Sequence, residues 1–85
     1  MNWVVYVTKS AKKQLSKLPT KDSQRVDAAI DVMDSDPFFG DLQKLGGHEN
    51  RWRRRVGNYR IFFLVLSQER TIYIYNIKRR ASNTY

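Results

Sequence analysis

The hydrophobic positions change period twice along the chain, and each change marks a different kind of element. Val4-Val5-Tyr6-Val7 is a run of β-branched and aromatic residues and predicts a strand buried on both faces. Thr8 then stands where a hydroxyl caps a helix, and Ala11, Leu15 and Leu18 recur at i, i+4, i+7, predicting a helix over 9–18 with Lys12, Lys13 and Lys17 off the apolar stripe. Pro19 ends it. Val26, Ala29, Ile30 and Met33 carry a second helical stripe over 20–34, with Asp22 near its positive end, and Asp36-Pro37 stops the pattern. Residues 36–50 hold Pro37 and three glycines with no sustained period, which predicts a connecting loop with a few apolar anchors.

Beyond that loop the period becomes two. Trp52, Arg54 and Val56 alternate with Arg51, Arg53 and Arg55, Gly57-Asn58 is a hairpin signal, and in 59–66 Ile61, Phe63 and Val65 share one face while Arg60, Phe62 and Leu64 share the other. Ser67 to Arg70 turns the chain into a last β run over 71–77. A strand, an antiparallel helix pair and a three-stranded antiparallel meander predict an α+β fold: a four-stranded sheet with two helices on one face. With 85 residues and 41% hydrophobic composition, residues 1–85 form one domain with one core. The chain has no cysteine, which excludes a disulfide scaffold and thiolate metal sites and suits a reducing cytoplasm. The apolar run at the start is too short for a signal peptide or a membrane span, so a cytoplasmic location without a targeting segment is expected.

Charge sharpens the picture. Residues 1–43 carry six basic and six acidic side chains, whereas residues 44–85 carry ten basic and two acidic, so the whole net charge of +8 lies in the second half. Eight of those ten are arginines, whose planar forks bind phosphate bidentately and stack on bases. Alternation places Arg51, Arg53 and Arg55 on one strand face about 7 Å apart, a ladder suited to successive phosphates, with Arg60 across the hairpin and Lys78, Arg79 and Arg80 arriving from the last strand.

Other chemistries are poorly provided for. Thiol catalysis is excluded, the basic half has only Glu49 and Glu69 as carboxylates, and Asp27, Asp31 and Asp34 read as a solvated helix face, so no metal site and no cofactor are expected. Metal-free RNA cleavage needs a base for the 2′-hydroxyl, cations on the phosphorane and an acid for the 5′-oxygen. The arginines fit the middle role but, with pKa above ~12, not the first. Tyr85 and His48 are the candidates for moving protons. Trp52 and Tyr59 are either core residues or stacking platforms for bases.

The string Leu45-Gly46-Gly47, then Trp52-Arg53-Arg54-Arg55-Val56-Gly57-Asn58-Tyr59-Arg60-Ile61, and the end Lys78-Arg79-Arg80-Ala81-Ser82-Asn83-Thr84-Tyr85 resemble the RelE/ParE superfamily of toxins from type II toxin–antitoxin systems. On its RelE-like branch the resemblance implies a ribosome-dependent endoribonuclease that cuts mRNA in the A site by 2′-hydroxyl attack, without metal. It assigns Arg53, Arg55, Arg60, Arg79 and Tyr85 to catalysis, and leaves Arg51, Arg54, Lys78 and Arg80 to bind RNA. The sequence departs from RelE itself, which has lysines at the positions of Arg53 and Arg55 and a terminal helix where this sequence stops at Tyr85, and from YoeB-like relatives, which have histidine at the position of Thr84. The ParE branch implies a different target, DNA gyrase, on the same fold. A third possibility is a non-catalytic RNA- or ribosome-binding module. The resemblance also implies an antitoxin partner, acidic, helical and partly disordered, that screens the arginine face.

Overall fold

The computed structural model describes residues 3–46 and 50–79. Strand β1 (Val4–Val7) leads into α1 (Lys9–Ser16) and α2 (Thr20–Asp31), which ends in a 3-10 turn over Val32–Asp34. Four further strands follow: β2 (Asp41–Lys44), β3 (Arg51–Val56), β4 (Tyr59–Leu66) and β5 (Thr71–Arg79). They form one mixed sheet in the order β1-β5-β4-β3-β2, with β1 parallel to β5 and every other pair antiparallel.

Local chemistry sets the element ends. The Thr8 hydroxyl accepts from the Ala11 N–H at 3.2 Å and caps α1 as its position predicts. The expected helix reaches Leu18 but α1 stops at Ser16, because Pro19 pushes Leu18 out of the helical region and the last turn closes by i→i+3 bonds, Lys17 N–H to Gln14 C=O and Leu18 N–H to Leu15 C=O, both 3.2 Å. After the 3-10 turn the Asp36 carboxylate accepts from the Phe38 N–H at 3.0 Å, an Asx turn that fixes the exit around buried Pro37.

Both helices pack on the same face of the sheet. Ala11, Val26, Ala29, Ile30 and Met33 meet Tyr59, Ile61, Phe63 and Val65 of β4 and Ile72, Ile74 and Ile77 of β5 in one core. β4 alternates between buried and half-buried along its whole length, as its sequence predicts. Strand β1 does not match the expectation of burial on both faces. Val5 and Val7 pack on the core, but Val4 and Tyr6 are 53% and 56% exposed, since β1 is an edge strand and the helices cover one face only.

Two further corrections concern the sheet. The expected four strands are five, because Asp41–Lys44 leaves the predicted loop to pair with β3 in the register Asp41↔Arg55, Leu42↔Arg54, Gln43↔Arg53, Lys44↔Trp52. Without it the N–H and C=O groups of β3 would lie bare along an edge. The second is a bulge. Between β4 and β5 the register slips at Phe62/Phe63, so that Phe62 faces Asn76, Phe63 faces Ile74, and Tyr75 is the extra residue. Beyond it the alternation inverts: Ile77 is buried like Ile72 and Ile74, and Lys78 changes face with it. β1 reaches only as far as Ile74, and there the Gln14 side chain of α1 takes over, its Oε1 accepting from the Ile77 N–H at 2.7 Å and its Nε2 donating to Asn76 Oδ1 at 2.9 Å.

Two polar groups lie inside this packing. Arg54, 7% exposed, points under α2, where its Nη1 donates to the Ala29 carbonyl at 3.1 Å and its guanidinium lies 5.5 Å from the Phe39 ring centre. Desolvation lowers its pKa and the field of Asp36 pulls it back up. Gly40, at φ +100°, passes so close that a β-carbon there would stand 2.9 Å from Arg54 Nε. On the other side of the core Tyr59 donates to Asp22 Oδ2 at 2.7 Å, tying β4 to the first turn of α2.

Arg53→Ala and Arg54→Ala therefore separate in denaturant unfolding: Arg54→Ala loses about 2–3 kcal/mol through the cavity and the abandoned Ala29 carbonyl, and Arg53→Ala less than ~1 kcal/mol. Tyr59 makes a second prediction. The hydrogen bond to Asp22, then burial, then the Asp22 charge raise its pKa above 10.0, against an opposing pull from Arg79. Its contribution to stability is complete below the unfolded tyrosine pKa and is lost as pH rises through the raised folded value. Melting temperatures measured upward from pH 9 should fall more steeply for the wild type than for Tyr59→Phe.

Candidate nucleic-acid interface

The face of the sheet away from the helices is built by cross-strand register. Asp41 of β2, Arg55 of β3, Arg60 of β4 and Lys78 of β5 are successive partners, so they form one row running straight across four strands. The next row is Gln43, Arg53, Phe62 and Asn76, and the one beyond holds Arg51, Leu64, Tyr73 and Tyr6. Directly opposed side chains have β-carbons about 5 Å apart, so the neighbours Arg55, Arg60 and Lys78 repel one another unless an anion lies among them.

Strand β2 supplies part of the compensation. Asp41 Oδ2 accepts from Arg55 Nε at 2.9 Å, an exposed ion pair of little energetic weight that nevertheless fixes the plane of the guanidinium and leaves its terminal nitrogens free of Asp41. Gln43 Oε1 accepts from Arg53 Nη2 in the same way. Arg60 has no such neighbour: it is half-buried, and its Nε is enclosed without a hydrogen-bond partner among the described residues, as is Arg53 Nε. On these strands five cations, Arg51, Arg53, Arg55, Arg60 and Lys78, face one carboxylate, Asp41. A phosphate group is the size and charge that such an arrangement accommodates.

The expected site residues fall into three sets. Arg51, Arg53, Arg55, Arg60 and Lys78 share the exposed face. Arg54 does not, and its expected place on an RNA-binding surface is corrected: alternation turns it inward, and it holds Ala29 and Phe39 instead. Arg79 is not in the row either. The bulge at Tyr75 puts it opposite Tyr59, toward the helices, where its charge acts on the Tyr59 hydroxyl, and leaves Lys78 as the β5 cation of the row. Arg80, Tyr85 and His48 lie outside the described residues. Trp52 and Tyr59 resolve as core residues, Trp52 5.3 Å edge-on to Phe38 and Tyr59 bonded to Asp22. Asp27, Asp31 and Asp34 are exposed.

Asp41 and Gln43 also belong to this face, and residue type alone does not point to them. Their signal is faint: a polar–apolar–polar alternation around Leu42, immediately after a glycine at positive φ.

A family model described as ParE toxin of type II toxin-antitoxin system, parDE, matches residues 5–84. Among curated proteins, a chain of Methanocaldococcus jannaschii named RelE1 is 29% identical over 83 residues, which cover 94% of this chain and 92% of that one. The fold superposes with a TM-score of 0.84 and 27% identity on the crystal structure of the archaeal RelE–RelB complex from Pyrococcus horikoshii, covering 98% of this chain and 100% of the other. It superposes at 0.81 and 22% identity on the RelBE2 toxin–antitoxin complex of Mycobacterium tuberculosis, covering 94% and 100%, a likeness of fold. Among the described residues no helix is long and apolar enough to cross a membrane. A match that runs through both helices and all five strands, and includes every residue of the cation row, is a match of the whole domain: the chain belongs to the ParE/RelE family of toxins of type II toxin–antitoxin systems, and it is RelE-like.

Proposed function

We propose that this toxin is a ribosome-dependent endoribonuclease that cleaves mRNA in the A site. The observation that carries the reading is the row Arg55–Arg60–Lys78, three cations on adjacent strands with one carboxylate at its end, on a face that the fold leaves uncovered among the described residues. In cleavage by internal attack, the 2′-oxygen loses its proton and bonds to the adjacent phosphorus, and the 5′-oxygen leaves with a proton, giving a cyclic phosphate. The phosphorane between these steps carries extra negative charge. Arg55 and Arg60 stabilise it, with Arg53 one row further along the strand. Lys78 stands beside Arg60 as a proton carrier, and Tyr85 and His48 are the alternatives. The ribosome supplies a chain of mRNA already held extended. Arg79, which the resemblance assigns to catalysis, stands opposite Tyr59 off the row and takes no part in this step, and Arg80 binds a flanking phosphate.

Primer extension on an mRNA, with and without programmed ribosomes, tests this directly. Cuts at A-site codons that need ribosomes are expected. Arg60→Ala should reduce the cleavage rate by about 10²–10³-fold, with an unchanged melting temperature; Tyr85→Phe should weaken it if the phenol moves a proton. Intact mRNA from a folded wild-type protein that blocks supercoiling by gyrase would replace this reading with the ParE-like one.

The partner proposed is a cognate antitoxin, acidic and helical, lying over the cation face and so keeping it from RNA. RelE and RelB are found together in the complexes that this fold resembles. Its dissociation constant should rise as salt is raised from 0.05 to 0.5 M, roughly tenfold or more. An affinity that does not respond to salt would remove charge as the main determinant of the contact.

A further inference from the structure

We propose that the aromatic half of the uncovered sheet face, Tyr6, Phe62, Tyr73 and Tyr75, is a stacking site for unpaired nucleobases of the same strand whose phosphates the cation row holds. This deepens the nuclease reading and rests on it for the identity of the polyanion. Aromatic side chains of this kind belong in a core, yet these four lie on the face opposite the helices. Tyr6 is 56% exposed, and its ring is parallel to that of Tyr73, 9° apart in plane and 5.3 Å between centres. Phe62 and Tyr75 form a second pair at 6.3 Å. Arg51 holds its guanidinium 5.8 Å from the Tyr75 ring centre, so the two halves of the face join there.

Rings and cations are spaced as one ligand would need them. From Arg60 to Leu64, the β4 residue in the same row as Tyr73 and Tyr6, is four residues, or about 13 Å along the strand. An extended chain of a few nucleotides spans that distance, and it presents a phosphate to the cations and an aromatic plane to the rings from the same backbone. Every nucleobase has a π-face, so such a site accepts bases without reading them by hydrogen bonds. An acidic peptide would answer the charge at one end of the face, but its apolar side chains would have no cause to match an alternation of guanidinium and ring.

Fluorescence anisotropy distinguishes these occupants. The probes are a labelled single-stranded oligoribonucleotide, 2′-O-methylated so that it cannot be cut, and an abasic oligomer of the same length. Wild-type toxin should bind the base-bearing strand at least about 10-fold more tightly than the abasic one. Tyr6→Leu/Tyr73→Leu, which keeps apolar area and removes both rings, should abolish that difference while leaving abasic binding unchanged. Tyr6→Trp should widen it, and this variant keeps the test decisive if the double substitution fails to fold. Equal binding of the two strands by the wild type would overturn the proposal, as would a double variant that preserves the difference or that loses affinity only for the antitoxin. Base-dependent binding without cleavage on ribosomes would sink the nuclease reading and leave the stacking site standing.

Discussion

Two short helices can cover one face of a sheet and no more, and the remaining features of this toxin follow from that limit. A period of two sends each strand's residues alternately into the covered and the uncovered face, so a sequence rich in both apolar residues and arginines is sorted by strand geometry. Packing takes Ile61, Phe63, Val65, Ile72, Ile74 and Ile77. What is left over on the far side is not a solvated surface of mixed sign. One half of it is a set of cations crowded closer than they would lie in solution, beside the aromatic half, and the cost of gathering those charges is met by the fold.

Most of the architecture was legible in the chain. The two helices, the Thr8 cap of the first and the meander are written in strong local signals such as Thr8, Pro19, Asp36-Pro37 and Gly57-Asn58, and there the residues and the tertiary packing agree. β2 was not legible, because Asp41-Leu42-Gln43-Lys44 holds one apolar residue and owes its extended form to the partner strand. The one-sided burial of β1 is hidden for a related reason: a run of four β-branched and aromatic residues looks the same whether helices cover one side of it or both.

The candidate site is legible by residue type, and strand geometry decides which of those residues share a face. Arg53, Arg54 and Arg55 differ in nothing but parity, which correctly separates the middle one, yet a buried arginine held by a helix carbonyl and a phenylalanine ring goes against every expectation from composition. Regular alternation from Tyr73 would put Arg79 on the far face, and the bulge at Tyr75 puts Lys78 there instead. A single extra residue inverts parity for everything after it, and no local pattern announces it, since Tyr75 and Asn76 fit a regular strand as well as a slipped one. Which cation of the last strand joins the row is thus decided by a backbone irregularity four residues or fewer away.

The amide of Gln14 has a consequence beyond local hydrogen bonding. β5 is nine residues long and β1 covers only its first four, so the rest would be a bare strand edge, an invitation for a second chain to add itself and continue the sheet. One glutamine takes up the Ile77 N–H on that edge and at the same time donates to the Asn76 side chain, so part of the edge is occupied by a side chain. A strand edge occupied in this way offers an added strand fewer free groups along this flank.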